Sequence, residues 1–406
     1  MENKLISTKP VYSLRQLGIY FLRLGSIGFG GPVALVGYMN RDLVEEKKWI
    51  SEDNYKEGLT LAQLMPGPLA AQLSIYLGYV HFGAWGATVT GVAFVLSSFM
   101  MVVLLGVAYK LYGGLSWMQA VFYGVGAAVI GIIAMSVYKL TTKSISKFNI
   151  EGIKKNWLLW VFFIIAIVVT VITEREEVLL FIIAGLIYMI IKAPPGFLKR
   201  SSTINIFLFA DFGFWDYDSN NLRKIAWFFT EAGAFVFGSG LAIVPFLHAG
   251  VVKEYGWLTE QQFIDAVAVA MITPGPVVIT VGFIGYLVAG FPGAVVASLC
   301  TFIPCYLFTV LPAPYFRKIA KNKSIRSFVD GITAAVVGAL TGAVIVIAMR
   351  TLTDAYTALI AIAVVGLLIY FKKIQEPSII LAAALLGLLI KTTLLTYVTT
   401  KTYHVI

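Results

Sequence analysis

Glycine and proline interrupt this apolar sequence at four places where a small anion could bind. A helix that begins at such a break has free backbone N–H groups in its first turn, and these carry a partial positive charge. Proline in that turn leaves them free, and glycine lets a ligand approach the backbone. These properties suit an anion, although each break taken singly is equally compatible with a kink or a close helix crossing. The breaks comprise Gly30, Gly31, Pro32, Pro66, Gly67, Pro68, Gly238, Ser239, Gly240, Pro274, Gly275 and Pro276.

Four polar side chains near these breaks could add to an anion site. Arg23 precedes the first break, and an arginine can hold an oxyanion through two parallel hydrogen bonds. Glu231 stands at the matching place before the third break, where it could pair with Arg23 or take up a proton in exchange for substrate. Gln72 and Thr273 lie beside the two Pro-Gly-Pro motifs and could donate to an oxyanion. The alternatives are interfacial positions for the charged pair, and satisfaction of the broken backbone for the polar pair.

Two acids, Glu57 and Asp265, stand near the start of the segments that lead into the Pro-Gly-Pro motifs. An acidic side chain at the start of a helix commonly caps its free N–H groups. We therefore predict that both residues cap helices, in preference to a role in transport.

The breaks come in pairs because the sequence is duplicated. Trp49 to Pro68 reads WISEDNYKEGLTLAQLMPGP, and Trp257 to Pro276 reads WLTEQQFIDAVAVAMITPGP. The match continues to GVGAAVIG at 124–131 and GITAAVVG at 331–338. Two copies of one domain with broken helices are typical of secondary transporters. We place an N-terminal repeat at 1–192, a linker that we expect to be cytoplasmic at 193–224, and a C-terminal repeat at 225–406.

The composition is that of a membrane protein, since 59% of the residues are hydrophobic and 13% are charged. Uncharged runs such as 111–138 and 266–316 are long enough for spans of about 20 residues. Each span should be helical, because backbone groups in lipid must be satisfied within the segment. The sequence therefore predicts an all-α polytopic protein of the inner (cytoplasmic) membrane. Apolar segments lie near 14–38, 57–80, 83–109, 116–138, 157–173 and 177–191, and near 225–247, 263–288, 292–316, 327–349, 355–371 and 377–399.

The net charge of +10 comes largely from short basic loops and does not indicate binding of nucleic acid. Basic residues fill the loop at 139–155 in the first repeat and the loop at 317–326 in the second. Such loops face the cytoplasm. These two loops are not equivalent, and the loop that matches each one in the other repeat is poor in charge. We therefore infer that the two repeats are inserted with inverted topology.

Nothing in the sequence indicates an enzyme, a metal site or a cofactor. The two cysteines, Cys300 and Cys305, and the three histidines lack metal-ligand spacing. Nucleotide-binding, zinc-protease and nucleophile motifs do not occur in the sequence. We expect no cleavable signal peptide, because the N-terminus is polar as far as Ser13.

The motifs around the breaks resemble those of the chromate ion transporter family. FGGP at 29–32 and LMPGPLAAQLSIYLGY at 64–79 are similar to the N-terminal half of that family. FGSGLAIVPFL at 237–247 and GFIGYLVAGFPGA at 282–294 are similar to its C-terminal half. Many relatives have a histidine after FGGP, where this chain has Leu35 and Val36. The resemblance implies a two-domain efflux carrier for chromate, a tetrahedral dianion like sulfate, and suggests proton coupling.

Together these features predict a carrier that exports chromate by alternating access, with an oxyanion and the lipid bilayer as its partners. The main alternative is a carrier for sulfate or another oxyanion, and the alternative from a different class is a membrane scaffold or an enzyme subunit. Small residues also allow close helix packing, either within one chain or between two copies in a homodimer, at Gly124, Gly131, Gly331 and Gly338.

Overall fold

The computed structural model describes residues 11–29, 31–113, 115–174, 178–194, 221–238, 240, 243–316, 322–371, 374 and 376–403. Helices make up most of these ranges, and strand is confined to two segments of two residues each. The prediction of an all-α protein is therefore confirmed. Most of the predicted linker at 193–224 lies outside the described residues, as do Gly30 and Ser239 of the breaks.

The first repeat begins with two short helices and continues with longer ones. Side-chain caps start two of its helices: Ser13 accepts from the N–H of Gln16 before the first, and Ser51 accepts from the N–H of Asn54 before the third. The elements are α1 (Leu14–Ile27), α2 (Gly31–Met39) continued by a π-helix (Asn40–Glu46), α3 (Glu52–Leu64), β1 (Gly67–Pro68), α4 (Leu69–Tyr112), α5 (Ser116–Ser144), α6 (Ile150–Lys155), α7 (Trp157–Thr173) and α8 (Val178–Lys192).

The second repeat has nearly the same order of elements, including a π-helix at the matching place. Its first helix begins at Asn221, within the range that the sequence assigned to the linker. The elements are α9 (Asn221–Phe235), β2 (Phe237–Gly238), α10 (Ile243–His248) continued by a π-helix (Ala249–Glu254), α11 (Glu260–Ile272), a 3₁₀ turn (Val277–Ile279), α12 (Thr280–Val310), a second 3₁₀ turn (Ala313–Tyr315), α13 (Lys323–Thr351), α14 (Ala355–Tyr370) and α15 (Glu376–Tyr403).

α4 and α12 each consist of two antiparallel arms. α4 turns at Gly83 (φ 59°), and the Thr90 hydroxyl in its long arm (84–112) donates to the Ser74 carbonyl in its short arm (69–82) at 2.8 Å. α12 turns at Gly290 (φ 65°), where Gly285 of the short arm (280–288) packs on Gly293 of the long arm (291–310). The C-terminal part of the segment predicted at 57–80 and the segment predicted at 83–109 are therefore the two arms of one hairpin.

The segment predicted at 14–38 also folds back on itself. Tyr20 on α1 donates to the carboxylate of Asp42, which follows α2, at 3.2 Å. In the same way Gly58 on α3 packs against the Tyr76 ring of the short arm of α4. The first repeat thus opens with short helices that reverse direction at its glycine and proline breaks.

The two repeats interlock through their long helices. α5 of the first repeat packs against α14 and α15, and α13 of the second repeat packs against α7 and α8. Glycine allows these helices to approach closely within one chain, in the pairs Gly124 with Ala383, Gly131 with Ala361, Gly331 with Ala184, and Gly338 with Phe163. These four glycine faces are therefore occupied inside a single copy of the protein.

The long arms of α4 and α12 also pack together. Tyr306 lies 3.0 Å from the Thr88 hydroxyl, while Phe291 packs on Phe99 with ring centroids 6.3 Å apart. These contacts run in opposite sequence directions, so the two equivalent arms are antiparallel.

Within the described chain, four helices are long and apolar enough to cross a membrane. They cover Leu69–Tyr112, Trp117–Ser144, Val277–Tyr315 and Lys323–Thr351. Shorter apolar helices cover Trp157–Thr173, Leu179–Lys192 and Ala355–Tyr370. This set of helices agrees with the predicted multi-pass membrane protein.

The contact between Gly338 and α7 can be tested by adding one methyl group. A Cβ atom at Gly338 would lie 2.3 Å from the Phe163 carbonyl oxygen, so α13 and α7 would have to separate. We expect Gly338→Ala to destabilise the protein by about 1–3 kcal/mol through overpacking, measured as a lower thermal midpoint in detergent. The control is Gly366→Ala on α14, where no atom lies within 4 Å of the added Cβ. Equal midpoints for the two variants would contradict the packing.

Candidate functional site

The Pro-Gly-Pro motif of the first repeat contacts the glycine break of the second. β1 and β2 pair in parallel, with Gly67 opposite Phe237 and Pro68 opposite Gly238. The Gly67 N–H donates to the Val236 carbonyl at 2.5 Å. A break in one repeat is thus hydrogen-bonded to a break in the other.

The reciprocal contact is also present. The Gly275 N–H of the second Pro-Gly-Pro motif donates to the Gly28 carbonyl, next to the first glycine break, at 2.9 Å. Gly275 and Gly28 are the repeat counterparts of Gly67 and Val236, so the two hydrogen bonds are equivalent. The structure therefore brings the four predicted breaks together in two pairs that cross between the repeats.

Only glycine fits at the centre of each Pro-Gly-Pro motif. Gly67 has φ 141° and Gly275 has φ 97°, values that other residues rarely adopt. A Cβ atom would lie 2.6 Å from the Gln72 amide nitrogen at Gly67, and 2.0 Å from the Ser98 hydroxyl at Gly275. The breaks are therefore tightly packed as well as unusual in backbone conformation.

The helices that start at the Pro-Gly-Pro motifs have no side-chain cap among the described residues. This holds for α4 after Pro68 and for the 3₁₀ turn after Pro276. By contrast Ser51 and Thr259 cap α3 and α11, the helices that lead into the same motifs. The uncapped first turns are buried, and buried N–H groups require a partner. Such turns can bind an anion through the backbone.

The predicted polar side chains beside the breaks bond the backbone. Gln72 is fully buried and donates from its amide nitrogen to the Pro66 carbonyl at 2.7 Å. Thr273 donates to the Val269 carbonyl at 2.7 Å. Thr280, the repeat counterpart of Gln72, donates to Val277 in the same way. These donors hold the breaks in shape, while Gln72 Oε1 has no hydrogen-bond partner in the described part of the chain.

The other predicted break residues border these contacts. Gly31 and Pro32 start α2, Gly238 belongs to β2, and Gly240 is buried near Val278. Pro274 lies between the end of α11 and Gly275.

The two predicted charged residues lie on the first helix of each repeat. Arg23 is exposed on α1, on the same side as Leu22 and Ile27, and Glu231 is half-buried on α9. No ion pair between Arg23 and a carboxylate is found in the described ranges. The two residues thus share equivalent places in the repeats without forming the pair considered from the sequence.

The predicted capping roles of Glu57 and Asp265 are wrong. The caps are Ser51 and Thr259, and both acids lie in the second turn of their helices. Asp265 is only 3% exposed and accepts hydrogen bonds from the Tyr109 hydroxyl at 2.6 Å and the Gln261 amide at 2.8 Å. In the sequence, Asp265 is an acid at the edge of an apolar segment, and it is aligned with an acid of the other repeat. This pattern could have identified Asp265 as a buried residue with hydrogen-bond partners.

A polar cavity of about 410 Å³ lies next to this buried acid. Tyr109, the hydrogen-bond donor to Asp265, forms part of its wall. Lys110 lies 5.1 Å from the Tyr286 ring centroid and brings a positive charge to the cavity. The remaining lining residues are Gly113, Trp257, Leu258, Gln262 and Leu287.

Comparison of the sequence with known proteins identifies the family of this chain. The family model described as "Chromate transporter" matches residues 15–190 and 223–388. The chain is 61% identical to the "Chromate transport protein" of Cupriavidus metallidurans, over 94% of each chain. It is 57% identical to the "Probable chromate transport protein" of Synechococcus elongatus, over 96% of this chain and 98% of that protein.

A more distant relative agrees with this assignment. The chain is 28% identical to the "Chromate transport protein" of Pseudomonas aeruginosa, over 94% of this chain and 93% of that protein. No solved structure matches the chain. The family is one of membrane transporters rather than enzymes, and both of its matched segments contain one pair of the breaks described above. This chain belongs to the chromate transporter family.

Proposed function

We propose that this chain exports chromate across the cytoplasmic membrane by alternating access. The observation that carries the proposal is the reciprocal pairing of the breaks, which sets two uncapped helix starts, after Pro68 and Pro276, beside the opposite repeat. Backbone N–H groups at such helix starts bind anions. Among the tetrahedral oxyanions we favour chromate, because the chain is similar to proteins named for chromate transport.

In the proposed site the backbone binds the dianion and the side chains maintain the geometry. The glycine breaks and the unbonded first-turn N–H groups after the two Pro-Gly-Pro motifs bind the substrate, while the Ile279 N–H bonds the Pro276 carbonyl. Gln72 and Thr273 hold the broken backbone, since their donors already bond carbonyl groups. Arg23, exposed just over one helical turn before Gly28, attracts the anion toward the break.

The proposal includes inverted topology for the two repeats. The antiparallel packing of the equivalent long arms, with Tyr306 at Thr88 and Phe291 at Phe99, supports an internal two-fold axis in the plane of the membrane. The unequal basic loops at 139–155 and 317–326 support the same orientation, with both loops in the cytoplasm.

The membrane potential favours export. Moving one charge through 100 mV is worth about 2.3 kcal/mol, so a dianion leaving a negative interior gains about 4.6 kcal/mol. That free energy corresponds to a gradient of roughly 2,000-fold. Export could therefore proceed without an ion gradient, and proton coupling would add to it.

We expect everted membrane vesicles that contain the protein to accumulate chromate, with vesicles lacking the protein as the control. Excess sulfate should reduce the uptake, because the two dianions share a tetrahedral shape. Arg23→Ala should reduce uptake at low chromate concentration by removing the attracting charge. Vesicles with folded protein and no chromate uptake, with or without a pH gradient, would rule out the chromate assignment. Uptake of sulfate in its place would favour the alternative substrate.

The role of the paired breaks in transport can be tested by substitution of Gly275. Gly275→Ala adds a Cβ atom 2.0 Å from the Ser98 hydroxyl at a backbone conformation that alanine avoids, so the bond to Gly28 should be disturbed. We expect chromate uptake to fall by about tenfold or more, which corresponds to about 1.4 kcal/mol, in protein that still elutes as folded material. The matched control is Gly37→Ala on α2, which meets nothing within 4 Å. Undiminished chromate uptake by Gly275→Ala would show that the breaks are not part of the substrate site.

We propose Glu231 as the carboxylate that couples proton movement to export, with Asp265 as the comparison residue. Glu231→Gln should abolish the stimulation of chromate uptake by an imposed pH gradient and preserve uptake driven by membrane potential. If Glu231→Gln keeps its response to the pH gradient and Asp265→Asn loses it, coupling belongs to the buried acid instead.

A further inference from the structure

A network of five charged or ionisable side chains joins the two repeats at one end of the molecule. Arg350 Nη1 lies 2.6 Å from Glu260 Oε1, and Arg350 Nη2 lies 2.6 Å from Glu174 Oε1. Lys253 Nζ lies 3.4 Å from Glu174 and 3.3 Å from Glu260. His248 Nε2 completes the network at 2.6 Å from Glu260 Oε2.

The members of this network come from elements that are far apart in the sequence. Glu174 follows α7 in the first repeat and has a left-handed backbone conformation (φ 54°) that few residues other than glycine adopt. Arg350 lies at the end of α13. His248, Lys253 and Glu260 belong to the helical hairpin formed by α10 and α11. The network thus ties this hairpin to α13 and to the first repeat.

In the equivalent hairpin of the first repeat, the matching residues form local pairs. The counterparts of His248, Lys253, Glu260 and Arg350 are Asn40, Glu45, Glu52 and Lys143. Glu52 pairs with Lys56 one turn away at 2.6 Å, and Asn40 donates to Glu45 at 3.3 Å. Two related hairpins are therefore held in different ways.

Burial shows the same asymmetry. In α11 every residue from Phe263 to Met271 is buried, and the helix packs against α5 and α15. In α3, which has the same length, the buried residues are Tyr55, Gly58, Leu61 and Ala62. α11 is therefore covered by the long helices along most of its length, whereas α3 is buried on one side only.

The network lies at the end of α13 opposite to the basic loop. α13 runs from Lys323 to Thr351, a length of about 40 Å at 1.5 Å per residue. Arg326 belongs to the basic loop at its start, and Arg350 lies at its other end. If the basic loop faces the cytoplasm, the network lies at the outer face of the membrane.

We propose that Glu174, Lys253, His248, Glu260 and Arg350 form the outer gate of the carrier. In this structure the contacts of the gate are formed, so the outer side is closed, which is the state that would load a substrate for export. Release requires Arg350 to part from Glu174 and Glu260, so that the hairpin of α10 and α11 moves away from α13. The proposal rests on the proposed transport function and assigns these residues positioning roles in the transport cycle.

The exposure of the network suits a reversible contact. The Arg350, Glu174 and Glu260 side chains are 32%, 36% and 34% exposed, respectively. Ion pairs at such positions are individually weak, because water competes for both partners. Several weak pairs that break together can hold one state and still release it, which a deeply buried ion pair would resist.

Arg350→Gln tests the gate through its effect on the two faces of the membrane. A weakened outer gate lowers the fraction of carriers open to the cytoplasm and raises the fraction open outward. We expect the half-saturating chromate concentration to rise by about threefold or more in everted vesicles, where the cytoplasmic face is accessible. In right-side-out vesicles, chromate exchange should show a lower half-saturating concentration. Glu174→Gln, in a loop, is a second variant that should act in the same direction.

Two matched variants control the experiment. Glu52→Gln changes the repeat counterpart of Glu260, which pairs only with Lys56 among the described residues, and should leave both constants unchanged. Arg350→Lys keeps the charge and should shift them less than Arg350→Gln. A merely structural defect would worsen transport at both faces. Half-saturating chromate concentrations that change in the same direction at both faces, or do not change, would contradict the proposed gate.

A second measurement separates this proposal from the transport function. We expect amide hydrogen exchange of residues 260–272 to be about tenfold faster in Arg350→Gln than in the natural protein, with exchange of 52–64 unchanged. Unchanged exchange at 260–272 would overturn the gate whatever the substrate. The natural protein failing to transport chromate, with this exchange response intact, would reject the substrate and keep the gate.

Discussion

Broken helices in an apolar environment must find hydrogen-bond partners for their backbone groups, and this requirement governs the whole structure. An unsatisfied N–H or C=O group in lipid costs several kcal/mol, so a break cannot simply be left open. Here the Gly67 N–H bonds the Val236 carbonyl, and the Gly275 N–H bonds the Gly28 carbonyl. Both bonds cross between the repeats. Each repeat therefore depends on the other for a backbone hydrogen-bond acceptor at its Pro-Gly-Pro motif.

The same breaks create the proposed anion site. The polar side chains around them already bond the backbone, as Gln72 does with Pro66 and Thr273 with Val269. What remains for a ligand is the set of buried first-turn N–H groups that have neither a side-chain cap nor a backbone partner. The Ile279 N–H is not among them, because it donates to the Pro276 carbonyl. In such a site the choice among tetrahedral oxyanions depends on the shape of the backbone rather than on a single side chain. The fixed backbone conformation of the glycine at the centre of each motif would then contribute to anion recognition as well as to folding.

The two repeats share their packing and differ in how their hairpins are held. His248 and Glu260 contact each other, and Glu260 also contacts Arg350, whereas the counterpart pair Asn40 and Glu52 makes local bonds. An internally duplicated carrier can exchange such roles between its halves, because the same fold supports both arrangements. In the proposed transport cycle, the charge differences between the repeats would favour one state over the other.

The sequence alone determined the helical membrane class, the duplication and the positions of the four breaks. Those features depend on local composition and on glycine and proline chemistry, which act within a few residues. It also placed the boundary between segments near Gly83, where α4 turns. The break at Gly30, Gly31 and Pro32 made the segment at 14–38 a candidate for a re-entrant turn, and the structure decided that this segment reverses direction.

The tertiary structure decided which distant residues meet. Asp265 was assigned to capping because it stands near the start of a helix, and its true partner Tyr109, 156 positions away, gave no local signal. Glu174 and Arg350, separated by 176 positions, gave no local signal of their contact. The pairing of each break with a break of the other repeat likewise follows from how the two halves dock. Contacts between far-separated residues depend on the packing of whole helices, and that packing exists only in the folded chain.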